Sequence, residues 1–380
     1  MAMLTITEAQ AAICSWKRGV FPAQGIENLT VGRNIEACAV RHAFATAANN
    51  GSGGLFFEAD YGHGKSHMLR MVESMALTEG FAVSWITFDH KSHAFNHPTR
   101  YLHGILENLR VPGYCGRGLS RVVELALTDD RREALIRFAA TAPWFIRNSI
   151  HDLSFGDVTN EVREAACRLL ECRDLQAKNG IYYYPEFFSR LQAVGRLMRI
   201  LEFKGIIWLF DEVECLGKLS NCQSRFAGYS LLNRLLRPNE FPNSWFFFTT
   251  TGDFRERLRT EKDPYFRYEG AIQFVKDWRE GRCDVHALKR LSCEDRLGLL
   301  QSVRNVHSIA YEWDSEKIVT DHFLQLLLVY ATKAGLTERE LLKSTVSILE
   351  TCEQHRCCDP MIDLFGAATT EGQERPQNVA

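Results

Sequence analysis

Between Glu58 and Leu69 the chain reads EADYGHGKSHML, and the residue types and spacing there are those of an anion cradle. A polyphosphate carries several negative charges that must be held without being trapped. Successive backbone N–H groups at a helix start supply that at low steric cost. Glycine is needed wherever a side chain would block the close approach. Here Gly62, His63, Gly64, Lys65 and Ser66 would curl around the phosphates, flanked by Tyr61 and His67. The Lys65 ammonium would reach the β and γ groups, and the Ser66 hydroxyl would be a ligand of Mg2+. The pattern asks for a first glycine where this chain has Ala59. Alanine leaves the turn intact provided the position does not need a positive φ.

Three further stretches could complete such a site. IIWLFDE ends a five-residue apolar run, Ile206 to Phe210, in Asp211 and Glu212. One carboxylate could hold the metal and the next polarise an attacking water, beside phosphates bound on a neighbouring strand. The plainer alternative is a loop that happens to start with two acids after a core strand. FFFTTTGD offers Thr250 or Thr251 to hydrogen-bond a γ-phosphate or position water, although threonine also ends strands through β propensity alone. GLTERELLKS places Arg339 where it could close a lid over a γ-phosphate, or simply be a solvated helix arginine.

The elements that must position these residues are legible from periodicity. LTVGRNIEACAVRHAFATAANN predicts a helix from about Asn34 to the Asn49, Asn50, Gly51 stop. GLFFEA, Gly54 to Ala59, predicts a buried strand before the loop, and Met68, Leu69, Met71, Val72 and Met75 mark a helix after it. FAVSWITFD, Phe81 to Asp89, is a second strand, so strand, loop, helix and strand follow as a βαβ unit requires. From about Pro98 to Phe203 every patterned stretch is helical, which predicts a long helical insertion before the Ile206 strand. A helix around Tyr229 to Leu236 leads into a buried strand at Trp245 to Phe248, and from about Val285 to Phe365 the pattern is helical again.

Composition sets the class. The 380 residues include 46% hydrophobic and 24% charged, the balance of a globular protein large enough for one large domain and a smaller one. The formal net charge of -2 advertises no global attraction to nucleic acid. No apolar run reaches the length of a membrane span, and no leader pattern opens the chain, so a cytoplasmic protein is expected. Twelve scattered cysteines read as reduced thiols rather than a disulfide framework. The CEQHRCC cluster, Cys352 to Cys358, offers zinc-capable groups but lacks a second pair at ligand spacing.

The stretches GIENLTVGRNIEA, ADYGHGKSHMLR, HPTRYLHGILENL, LFDEVECL, LKRLSCEDRLGLLQSVRNVHSIAYEW and LTERELLKSTVSILE together resemble the additional-strand P-loop ATPases of the AAA+ type. More narrowly, they resemble the ORC-like ATP-binding proteins of BREX bacteriophage-defence islands. The resemblance implies an α/β P-loop fold: a parallel sheet flanked by helices, with the helical insertion and a C-terminal helical lid or winged-helix-like domain. Expected boundaries are an N-terminal helical extension over 1–28, an ATPase core over 29–284 with the insertion at about 98–203, a lid over 285–365 and a disordered tail over 366–380. By carry-over, Lys65, Ser66, Asp211 and Glu212 serve ATP and Mg2+ (the Walker A and Walker B elements) and Arg33 lines the nucleotide pocket, while Thr251 and Arg339, the further catalytic candidates, fall where the family has its polar sensor strand and helical lid. Ser66 and Asp211 are the metal residues and Glu212 the catalytic base.

The implied activity is ATP hydrolysis driving assembly or remodelling in a multi-component complex, with DNA and further copies of the chain as candidate partners and no membrane role. The alternative is a nucleotide-gated interaction module that hydrolyses slowly. A small-molecule kinase is the weakest reading, because the Asp-Glu pair supplies a water-activating base. Arg267, Arg279 and Arg282 are unranked candidates for an arginine finger. The stretch from Phe254 to Leu291 has ten Lys or Arg against seven Asp or Glu and could face a phosphate backbone, though a mixed solvated surface explains it better.

Overall fold

A computed structural model describes residues 4–18, 30–89, 94–155, 158–175, 184–264 and 266–355. Five strands carry the architecture: β1 (Ser52–Glu58), β2 (Ala82–Thr87), β3 (Ile206–Asp211), β4 (Ser244–Thr250) and β5 (Val285–Ala287). They form one sheet in the order β2-β3-β4-β1-β5, and every pairing is parallel. Parallel strands need covered faces, which is why the sequence shows unbroken apolar runs rather than alternation. All six residues of β3 are buried. On one face Phe56 stacks on Phe248 at 4.7 Å and Trp208 on Phe246 at 6.2 Å. On the other, Phe57 stacks on Phe247 at 5.8 Å.

The helices follow in chain order: α1 (Ile6–Lys17), α2 (Asn34–Ala48), α3 (Lys65–Thr78), α4 (Pro98–Glu107), α5 (Leu119–Leu127), α6 (Arg132–Thr141), α7 (Trp144–Ser154), α8 (Asn160–Leu170), α9 (Tyr184–Ile200), α10 (Cys222–Leu235), α11 (Gly252–Thr260), α12 (Glu269–Arg279), α13 (Cys293–Tyr311), α14 (Asp321–Lys333) and α15 (Glu338–Gln354). The described residues divide into two compact units. One is drawn from Ile35–Tyr61 and Val72–Leu288, the other from Met1–Asn34, Gly62–Met71 and Lys289–Ala380.

The larger unit is the sheet with its helices. Phe44 of α2 meets Phe247 edge-on at 6.2 Å, closing one face. On the opposite face Phe274 and Trp278 of α12 pack against Phe56, and Tyr229 of α10 stacks on Phe274 at 5.7 Å. The insertion between β2 and β3 consists of α4 to α9 and shares this core through Leu102, Ile105, Leu191 and Val194. Arg190, almost fully buried on α9, is held by Asp174 at 3.1 and 3.0 Å and by Glu186 at 2.8 Å.

The smaller unit has its own core, in which Ile13 and Trp16 of α1 meet Leu300 and Val303 of α13, Phe323 of α14 and Leu341 and Val346 of α15. Three of its helices begin in a capping box: Thr5 with Glu8, Ser292 with Asp295, and Thr337 with Glu340. Each reciprocal pair satisfies orphan N–H groups that the helix start leaves open. A winged helix needs a β-hairpin, and among its described residues this unit contains helices only.

One short strand lies where the pattern suggests helix. Val285–Ala287 pairs with Phe56, Phe57 and Glu58 as β5. Three residues are too few to show a period, and only the edge of β1 draws them into extended form. The expected tail at 366–380, and Cys357 and Cys358 of the cysteine cluster, lie outside the described residues.

Candidate functional site

Strand β1 ends at Glu58, and the chain then turns into α3, which begins at Lys65. The strand-loop-helix context that the phosphate pattern requires is therefore present. Gly62 has φ +83° and Gly64 φ +89°, in the region that L side chains avoid. Ala59 is not among the residues with positive φ, so the one departure from the pattern falls where alanine costs nothing. Its N–H is spent on Thr250 O at 3.1 Å, fixing the loop to the end of β4.

The surroundings of the two glycines are open. Among the described residues a Cβ on Gly64 would meet only Arg33 Nη2, 4.0 Å away, and the atoms nearest one on Gly62 would be those of Thr337, at 3.5 to 3.7 Å. Such space lined by backbone N–H groups at a helix start suits a phosphate, and a side chain at either position would fill it. Lys65 is buried, Ser66 exposed and His63 partly exposed, while Tyr61 is 75% exposed. The Ser66 hydroxyl, and in the other unit the Asp211 carboxylate, are each a hard oxygen donor of the kind Mg2+ takes. Among the described residues no three His, Cys, Asp or Glu side chains group as metal ligands.

Arg33 donates to Lys289 O at 2.9 Å, which holds its guanidinium near Gly64. His67 is buried, with Nε2 3.1 Å from Thr30 Oγ1. Burial, and then the charge of Arg33, pushes its pKa down to about 3, so the ring is neutral at physiological pH. Arg339 lies in the first turn of α15, two residues after the Thr337 cap that borders Gly62. A cation at a helix N-terminus opposes the macrodipole.

The acids sit as a strand terminus dictates. Asp211, the last residue of β3, is 4% exposed, while Glu212 is exposed and adopts φ 59°, ψ 40°. For a residue with a Cβ the left-handed region costs about 1 kcal/mol or more, and such strain gathers at functional positions. Its effect here is to turn two consecutive carboxylates into different environments.

The Thr249 hydroxyl donates to Asp211 Oδ1 at 2.5 Å, and its oxygen accepts the Glu212 N–H at 2.9 Å. Sequence reasoning centred on Thr250 and Thr251 and missed Thr249. Phe210 pairs with Phe248, so the next residues, Asp211 and Thr249, share a face, a register that neither strand's own pattern carries. Among the described residues Thr250 and Thr251 both have buried hydroxyls without a hydrogen-bond partner, and Thr251 stands at the N-terminus of α11 without capping it.

One expected adjacency is corrected. The acidic strand was expected to neighbour the strand that feeds the loop, but β4 lies between β1 and β3 and pairs with both. Three buried aromatic strands look alike in sequence, and only pairing register separates them. Because all run parallel, Glu58, Asp211 and Thr250 still end at one carboxyl edge.

The candidate finger arginines differ in engagement. Arg279 is spent on Leu258 O, Glu261 O and Asp263, and Arg282 on Asp277 and Glu280, while Arg267 lies over the Tyr268 ring at 5.0 Å. Arg255, Arg257 and Arg259 likewise pair with Glu58, Glu261 and Glu256. Five arginines of the basic stretch are thus ion-paired within the chain. No helix among the described residues is long and apolar enough to cross a membrane.

A family model described as "BREX system ATP-binding protein BrxC/D" matches residues 5–128 and 179–366, which is most of the chain. No curated protein matches it. The interval 129–178, which holds α6 to α8, is outside the match.

Proposed function

The chain belongs to the family of BREX system ATP-binding proteins, and we propose that it is a Mg2+-dependent ATPase of the AAA+ type acting within a multi-component phage-defence complex. The observation that carries this reading is topological. The glycine loop after β1 and the Asp211–Glu212 pair after β3 leave the same carboxyl edge of one parallel sheet, with the threonines of β4 between them. Ligands of open α/β sheets bind at that edge.

In this mechanism the N–H groups of residues 62–66 and the Lys65 ammonium hold the β and γ phosphates. Ser66 and Asp211 would hold Mg2+, which when bound neutralises charge on the transferring group. Glu212 orients and deprotonates water, and the Thr249 hydroxyl keeps the Asp211 carboxylate aimed. Thr251, at the sheet edge, orients the attacking water, and Arg339 reads the γ-phosphate from α15. Arg33 screens phosphate charge beside Gly64, with Tyr61, His63 and His67 shaping the cradle.

One observation favours a second reading, a slowly hydrolysing nucleotide-gated module. Two of the three candidate finger arginines are committed to partners within the chain, and without a finger in trans turnover falls by orders of magnitude. Phosphate release, with and without DNA, for the parent and for Glu212→Gln separates the two. Release that the substitution abolishes supports the ATPase; tight ATP binding with negligible release in both proteins supports the gated module.

A further inference from the structure

The last side chain of β1 before the glycine loop is a carboxylate, Glu58, 8% exposed. Arg255, in the first turns of α11, donates from Nε to Glu58 Oε2 at 2.8 Å and lies with Nη2 2.5 Å from Oε1. This is the two-pronged guanidinium-carboxylate geometry, the strongest that such a pair adopts. Among the described residues the Glu58 carboxylate has no other polar partner. The backbone around it is already fixed, because Leu288 N–H donates to Glu58 O at 2.8 Å and Ala59 N–H to Thr250 O at 3.1 Å.

A half-buried ion pair is a poor device for stability alone, since solvent screens the exposed partner and the buried one is costly to desolvate. Its position gives it another consequence. Glu58 stands four residues before Gly62, at the edge where the triphosphate is read to bind, and an unneutralised carboxylate there would oppose that ligand.

We propose that Arg255 is a positioning residue for the nucleotide, cancelling the Glu58 charge at the root of the loop so that the edge accepts a polyphosphate. The inference rests on the nucleotide reading and deepens it. Because Arg255 is 37% exposed while Glu58 is buried, removing the arginine leaves the acid uncompensated, and removing the acid leaves a cation. The two substitutions therefore act with opposite sign. A unit charge about 10 Å from another, at an effective dielectric constant of about 20, alters affinity roughly tenfold before salt screening.

The test is equilibrium binding of fluorescent ATP and ADP analogues, with Mg2+, to the full chain and its variants. Arg255→Gln is expected to weaken ATP by roughly three- to tenfold and ADP by less, since ADP carries less charge. Glu58→Gln binds ATP more tightly than the parent, the double variant returns close to the parent, and Arg255→Lys keeps most of the affinity by keeping the charge. Thermal unfolding of each variant runs alongside, and the charge-free double variant keeps the test decisive if Arg255→Gln alone does not fold. Weakening by both single substitutions would show a structural staple and overturn the proposal, as would no change in either, or Arg255→Lys behaving like Arg255→Gln. If the parent binds neither analogue, the nucleotide reading fails and takes this inference with it; if the parent binds and the signs do not oppose, this inference alone fails.

Discussion

Thr249 Oγ1 sits between Asp211 and Glu212, giving its proton to the Asp211 carboxylate at 2.5 Å and taking the Glu212 N–H at 2.9 Å. One hydroxyl thus fixes a buried acid and the strained backbone of the exposed acid that follows it. Thr249→Val keeps the shape and deletes the hydroxyl. It should cost about 1–3 kcal/mol of stability, the worth of a hydrogen bond to a charged group. Phosphate release should fall by roughly ten- to a hundredfold, with ATP binding altered far less. Thr249→Ser should restore most of both. Stopped-flow phosphate detection beside a denaturant melt checks the split.

Gly64 tests the cradle. At φ +89° an alanine is strained by about 1 kcal/mol, and its Cβ would stand in the open space that only Arg33 borders. Gly64→Ala should lower ATP affinity by at least about tenfold while moving the melting temperature by only a few degrees. Equal losses at the exposed Gly113, φ +73° and bordered by nothing within 4 Å, would mean that backbone strain rather than cradle geometry is responsible.

Most of this architecture was written in local pattern. The apolar runs ending at Glu58 and Asp211 and the helix beginning at Lys65 fall within a residue or two of expectation, because buried parallel strands and glycine-lysine helix starts are local signals. What pattern could not carry was pairing. That Thr249 rather than a later threonine meets Asp211, and that Val285–Ala287 is a strand, both follow from register between segments distant in sequence. The partner of Glu58 was equally invisible, since 197 residues separate it from Arg255.

Two buried histidines make stability depend on acid. Burial, then the nearby Arg33, holds His67 down to about 3; burial, then Lys17, holds His307 down to about 4. Both rings are neutral in the folded chain. The unfolded chain takes up their protons below the ordinary pKa of about 6.5, so stability is complete above that pH and is lost as pH falls toward 4. Each contributes a slope approaching about 1.4 kcal/mol per pH unit in that window. Urea midpoints at pH 7 and pH 5 should show the loss, and His67→Gln should flatten it; an unchanged slope would contradict the assignment of a neutral buried ring.

Glu261 anchors the segment after α11. Arg225 holds it at 2.6 and 2.8 Å and also donates to Leu219 O and Ser220 O, while the Tyr229 hydroxyl donates to it at 3.2 Å. Both ion-pair partners are about 5% exposed or less. Removing one charge strands the other, and Glu261→Ala should cost about 3–5 kcal/mol. A melting temperature lowered by less than a few degrees would show that the arginine finds water or another acid instead.

The central claim is that Lys65 and the glycine loop hold a Mg2+-bound triphosphate. Equilibrium binding of ATP with Mg2+, to the parent and to Lys65→Ala, addresses it without depending on turnover. The parent should bind at micromolar to submillimolar concentration, and the substitution should weaken binding by at least about a hundredfold while leaving the melting temperature nearly unchanged. ATP that fails to bind the parent at millimolar concentration, or binds Lys65→Ala as well as the parent, would contradict it.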